Sequence, residues 1–135
     1  YIVYGKDGFD AETNLVDADV KLVNDGSLSS FAQNVIAPGD ITGDGLSDVV
    51  FSNMAQDDIP EPGPGVVIGI YGGNLSGSYD VLEQAGFASS GYGYYYLHGS
   101  GLAPAGDVDG DGLDDFWIGE RGTTRAYLFT GNLLE

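Results

Sequence analysis

The chain has 135 residues, no cysteine, and 21 acidic against 4 basic side chains, giving a net charge of −17. So acidic a composition argues against nucleic-acid binding and against an anionic membrane surface, because both require clustered Lys and Arg. The lack of Cys removes disulfide staples and thiol chemistry, and no run of about 18 apolar residues offers a transmembrane helix.

Glycine is frequent, at 23 residues, which suits a chain made of turns, and no segment sustains a 3.6-residue apolar period, so an all-β fold is expected. In chain order the apolar runs predict strands over 2–4, 20–23, 31–36, 49–52, 66–71 and 79–82. Next comes a strand over either 94–97 or 101–103, followed by 116–119 and 125–129. Short strands parted by Gly and Asp turns are the pattern of small repeated sheets. Segment 53–65 is stiffened by Pro60, Pro62 and Pro64. It reads as a partner-binding loop or a tolerated insertion. Segment 91–96, rich in Gly and Tyr, reads as a strand whose rings pack between neighbours, with a sugar or protein contact as the alternative. His98 is expected in a turn or as a hydrogen-bond donor between repeat units, and Trp117 in the core.

Most of the chemistry lies in Asp107-Val108-Asp109-Gly110-Asp111-Gly112-Leu113-Asp114-Asp115. Ca²⁺ takes six to eight oxygen ligands at about 2.3–2.6 Å. Carboxylates at alternate positions of a tight loop can converge on one centre, and glycine permits the turn that aims them. The predicted ligands are the side chains of Asp107, Asp109, Asp111 and Asp115 with the Leu113 carbonyl. Asp114 neighbours Asp115 and is expected to point away. A helix-flanked EF-hand does not fit, because its twelfth position, where a bidentate Glu belongs, is Ile118.

The loop occurs twice. Residues 39–48 match 106–115 at seven of ten positions. The first copy offers Asp40, Thr42, Asp44, Asp48 and the Leu46 carbonyl, with Thr42 in place of a carboxylate. Two Ca²⁺ sites are therefore expected, the second stronger, since affinity follows ligand charge. Asp40 and Asp107 stand 67 positions apart, as do Gly5 and Gly72, while Gly131 comes 59 positions after Gly72. This divides a single repeat domain, 1–135, into a first period of approximately 5–71 and a second of approximately 72–131.

These loops and their spacing resemble the FG-GAP repeat, the Ca²⁺-binding unit of integrin α-subunit β-propellers and of many bacterial surface proteins. Residues 31–36 and 98–103 occupy the place of that family's F-G-x-S-V-A element. Ser52-Asn53-Met54 and Gly119-Glu120-Arg121 stand where G-A-P would be. The resemblance implies an all-β propeller segment of about two repeats, in four-stranded antiparallel blades, with Ca²⁺ in the loop joining the first two strands of a blade. It also implies an extracellular or cell-surface adhesion or ligand-binding scaffold, with a protein or glycan ligand. Propellers close with about four to eight blades. Blades are therefore expected to be incomplete at both ends, with further repeats or other copies completing them. With one His, no Cys and no G-x-S-x-G elbow, the chain reads as non-enzymatic. The acidic pairs Asp57-Asp58 and Asp114-Asp115 are adjacent, so their side chains diverge and do not flank one bond. The alternatives are an accessory propeller of a larger secreted hydrolase or lyase, and a purely structural spacer.

Overall fold

Runs of β-branched and aromatic residues, punctuated by glycine, fold into short strands, mostly antiparallel. The computed structural model describes residues 1–5, 14–26, 28, 31–53, 63–93 and 95–131. The strands are β1 (Val20–Val23), β2 (Asn34–Gly39), β3 (Asp48–Asn53), β4 (Val66–Ile70), β5 (Gly77–Asp80), β6 (Phe87–Ser90), β7 (His98–Gly106), β8 (Asp115–Glu120) and β9 (Arg125–Phe129). Among the described residues there is no α-helix, only one 3₁₀ turn at Leu15–Asp17.

Three sheets result. β2-β3-β4-β6 is a four-stranded antiparallel sheet, β7-β8-β9 a three-stranded antiparallel one, and β1-β5 a parallel pair. No sheet closes on itself among the described residues. The two larger sheets repeat one another in register: Val49 pairs with Ile70 as Phe116 pairs with Phe129. Each first strand also slips by one residue just before the glycine that pairs with an aspartate, Gly39 with Asp48 and Gly106 with Asp115. Such bulges bend a strand and redirect the chain leaving it. Here they lead directly into the acidic loops.

The core lies between these sheets. Ile41, Val50 and Val67 from the first repeat pack on Phe116 and Ile118 from the second, with Phe116 stacked on Phe129 at 5.5 Å between centroids. The opposite face of the four-stranded sheet carries Phe51, Ile68 and Ile70, packed with Val81, Leu22 and Phe31. β3 is therefore buried on both faces. On β8 the period-2 alternation is plain: Phe116 and Ile118 are buried, while Trp117 between them is 42% exposed.

Several sequence expectations need correction. The strand expected over 79–82 runs instead from Gly77 to Asp80. Tyr79 lies in this strand, β5, which pairs in parallel with β1, and the fourth strand of the four-stranded sheet is β6. Segment 2–4 shrinks to one bridge, between Ile2 and Val20. Segment 91–96 is no strand where described, with Tyr92 99% and Tyr95 52% exposed, and the strand expected near it is β7. Trp117 is not core, because alternation turns it from the side that Phe116 and Ile118 fill. Most of the Pro-rich loop, with Asp57 and Asp58, lies outside the described residues, as does Tyr94.

Candidate metal centre

Each acidic loop joins the first two strands of its sheet: 40–47 links β2 to β3, and 107–114 links β7 to β8. Glycines at 43, 45, 110 and 112 adopt φ between +81° and +93°, a region that side chains disfavour. The turns they make leave backbone N–H groups facing inward, and the carboxylates accept from them.

The second loop is ordered by its own acids. Asp107 accepts from Gly110 N at 2.7 Å with Oδ1 and from Gly112 N at 3.0 Å with Oδ2. Asp109 accepts from Asp111 N at 3.1 Å and Asp111 from Leu113 N at 2.9 Å. Asp115, fully buried, accepts from Val108 N at 2.7 Å and, across the sheet, from Gly131 N at 3.0 Å.

The first loop repeats this pattern bond for bond, apart from Thr42. Asp40 accepts from Gly43 N and Gly45 N, both at 2.7 Å. Asp44 accepts from Leu46 N at 2.8 Å. Asp48, also fully buried, accepts from Ile41 N at 2.9 Å and Gly72 N at 2.6 Å. Thr42 departs from the pattern, since its hydroxyl and N–H both donate to Asp40.

Burial pushes the Asp48 carboxyl above its ordinary value, with repulsion from Asp44 and Asp40 adding to it, against the bonds from Gly72 and Ile41. For Asp40 desolvation acts upward too, but the N–H groups of Gly45, Gly43 and Thr42 outweigh it and hold the carboxyl below its usual range. At the buried end of the loop it is burial first, and the neighbouring acids second, that disfavours the charge on Asp48.

Carboxylate oxygens of Asp107, Asp109 and Asp115 all lie within 4.8 Å of one another. Asp111 is outside this group. Among the described residues the first loop makes no such three-acid group, Thr42 standing where Asp109 stands. Both loops offer oxygen only. Such a hard donor set suits Ca²⁺ or Mg²⁺ rather than a metal that prefers sulfur or imidazole. Bound carboxylates keep free lone pairs beside the backbone bonds, so these residues fit a divalent cation.

Sequence reasoning missed some of the scaffold. Gly72 and Gly131 stood out only as repeat markers, yet each donates the N–H that fixes a buried aspartate. A Cβ on Gly72 would lie 2.5 Å from the Ser47 carbonyl, and one on Gly131 would press on Leu113 and lie 3.0 Å from the Ile41 carbonyl. Their identical phase was the available signal. Asp114 carried no such signal, although its carboxylate accepts from Asp40 N in the other loop.

Fold and loops together define an all-β protein with two copies of an acid-rich, strand-joining loop. No protein-family model matches the chain. Integrin alpha-PS3 of Drosophila melanogaster is 29% identical to it over 133 residues, 96% of this chain and 11% of that protein. The chain thus has a weak homology to an integrin alpha subunit and spans about a ninth of its length. Among the described residues, no helix is long and apolar enough to cross a membrane.

Proposed function

We propose that this chain is a calcium-binding FG-GAP-type module of an extracellular or cell-surface protein, acting as a non-enzymatic scaffold for adhesion or ligand binding. The observation that carries the reading is the repeated hydrogen-bond set, in which Asp40, Asp44 and Asp48 do what Asp107, Asp111 and Asp115 do. The similarity to an integrin alpha subunit supports the extracellular and adhesive parts of it.

Bound Ca²⁺ would supply the positive charge that these clustered carboxylates lack. The protein's own residues do the rest. The glycines turn the loop, the backbone N–H groups orient each carboxylate, and the buried Asp48 and Asp115 tie the loop to the neighbouring strand end. A loop so held fixes the angle between the first two strands of each sheet.

In this reading the sheets are blades of a propeller that continues beyond them. Val50, Ile36 and Val67 of the first sheet face the second sheet. Their register equivalents on the second are Trp117, Ala103 and Ala126, all exposed. A further unit of the same kind would cover them. Ser89, His98 and Glu120 form a hydrogen-bonded chain, but His98 is buried in a seam over which Gly65 and Gly91 pack closely. We read that chain as joining the sheets rather than performing chemistry.

A thermal melt tests the proposal. A ligand of the native state stabilises by about 2.7 kcal/mol per site at a hundredfold excess over Kd. The midpoint should rise clearly between chelator and millimolar Ca²⁺, and less with Mg²⁺, which gives up its waters reluctantly. A melt indifferent to Ca²⁺ would sink the reading.

A further inference from the structure

The two loops touch each other. Asp114, beside the buried Asp115 of the second loop, reaches the opening residue of the first: its Oδ2 accepts from Asp40 N at 2.9 Å, and its own N–H donates to the Asp40 carbonyl at 2.8 Å. Both polar groups of the Asp40 backbone are thus held by one residue of the other loop. Gly39, at φ +117°, makes the room, since a Cβ there would collide with the Asp114 carboxylate. At the equivalent Gly106 a Cβ would meet nothing within 4 Å among the described residues, so this link joins the loops and is not a property of each. A second contact lies alongside. A Cβ on Gly43 would lie 3.0 Å from Leu113 Cδ2, and Gly131, the donor to Asp115, abuts the Ile41 carbonyl.

Resting on the reading of both loops as calcium sites, we propose that the sites are coupled through Asp114, so that filling one tightens the other. A cation that orders Asp115 fixes Asp114 beside it. Asp114 in turn fixes the peptide from which the Asp40 carboxylate extends. The second ion then meets a loop already ordered, and the conformational entropy that ordering costs has been lost once, not twice. Coupling of this kind is reciprocal and commonly amounts to about 5- to 150-fold in affinity. Asp114 acts here as a positioning residue, with its carboxylate turned to the neighbouring loop.

Calorimetric Ca²⁺ titrations of the whole chain test it, using Asp40→Ala, Asp114→Ala and the double variant. Disabling the first site with Asp40→Ala should weaken the second by about fivefold or more. In the Asp114→Ala background the same change should move it by less than about twofold. Asp114→Asn keeps an oxygen acceptor and should keep the coupling, which separates the link from loss of fold or of charge. If both loops bind Ca²⁺ but Asp40→Ala leaves the second site unmoved, the sites are uncoupled, and if it weakens that site equally in both backgrounds, the coupling does not run through the Asp114 carboxylate; either result overturns the proposal while the calcium reading stands. If neither loop takes up Ca²⁺, the calcium reading falls and the coupling falls with it.

Discussion

His98 on β7 and Glu120 on β8 are register partners, joined by an Nδ1 to Oε1 hydrogen bond of 3.0 Å. The other ring nitrogen reaches Ser89 Oγ on β6 at 3.0 Å, so this one histidine ties the three-stranded sheet to the four-stranded one. Glu120 also accepts from Thr123 and Tyr127. A ring carrying its proton on Nδ1 satisfies Glu120 and leaves Nε2 to accept from Ser89. Because the pair is buried, truncating His98→Ala strands two polar groups. A loss of about 1–3 kcal/mol is expected, read from urea unfolding; a change below about 0.5 kcal/mol would mean that the seam is held by its apolar contacts alone.

The same pair sets an acid limb. Desolvation pushes the Glu120 carboxyl up, but the hydrogen bonds from Thr123, Tyr127 and His98 prevail and hold it below its ordinary value. A carboxyl depressed in the folded state contributes stability above its unfolded value of about 4.3, and that contribution is lost as pH falls through the folded value. Glu120→Gln should therefore cost stability near pH 7 and flatten the decline below about pH 4.3. Parallel wild-type and variant curves from pH 7 to pH 3 would contradict this.

Adjacent residues on β8 should respond very differently. Phe116→Ala removes a ring packed against Phe129 and Phe87 and should cost about 3–5 kcal/mol. Trp117→Ala, on the open face, should stay within about 0.5 kcal/mol in the isolated chain. Chemical denaturation of the two variants checks the alternation, and a costly Trp117 would place it in the core after all.

Glycine at 72 and 131 should be irreplaceable. Gly72→Ala and Gly131→Ala force the backbone off Asp48 and Asp115, with an expected loss of about 1–3 kcal/mol each, the cost of leaving a buried carboxylate short of a donor. Gly5→Ala, where a Cβ meets nothing within 4 Å among the described residues, is the control and should be near neutral. Thermal midpoints decide it; three equal shifts would show that only chain flexibility was altered.

Loop asymmetry gives a ranking. Asp107, Asp109 and Asp115 converge, while Thr42 spends its donors on Asp40. The second loop should bind Ca²⁺ more tightly than the first, because ligand charge sets affinity in such loops. Titrating Asp44→Ala and Asp111→Ala reads the remaining loop in each case, with any coupling to its neighbour removed equally from both. Equal or reversed affinities would refute the order.

Period and spacing in the sequence made the loops, their duplication and the strands around them legible, since the Gly-Asp-Gly turn shared by both copies, 43–45 and 110–112, leaves the backbone few alternatives. Strand β6 was not legible. Phe87-Ala88-Ser89-Ser90 has neither β-branched residues nor a clear alternation, and it is held by pairing with β4. Nor was the parallel pairing of β1 with β5, which joins residues more than 50 positions apart. Within the site, alternation explained why Asp114 leaves its own loop, but its destination at Asp40 depends on how two sheets pack, and no local pattern encodes that.

Calorimetric titration of the chelator-stripped chain with Ca²⁺ tests the central claim most directly. Two binding events per chain are expected, one abolished by Asp107→Ala and the other by Asp40→Ala, with each variant still folded by circular dichroism. A single event unaffected by either substitution, or no binding heat at millimolar Ca²⁺, would contradict it.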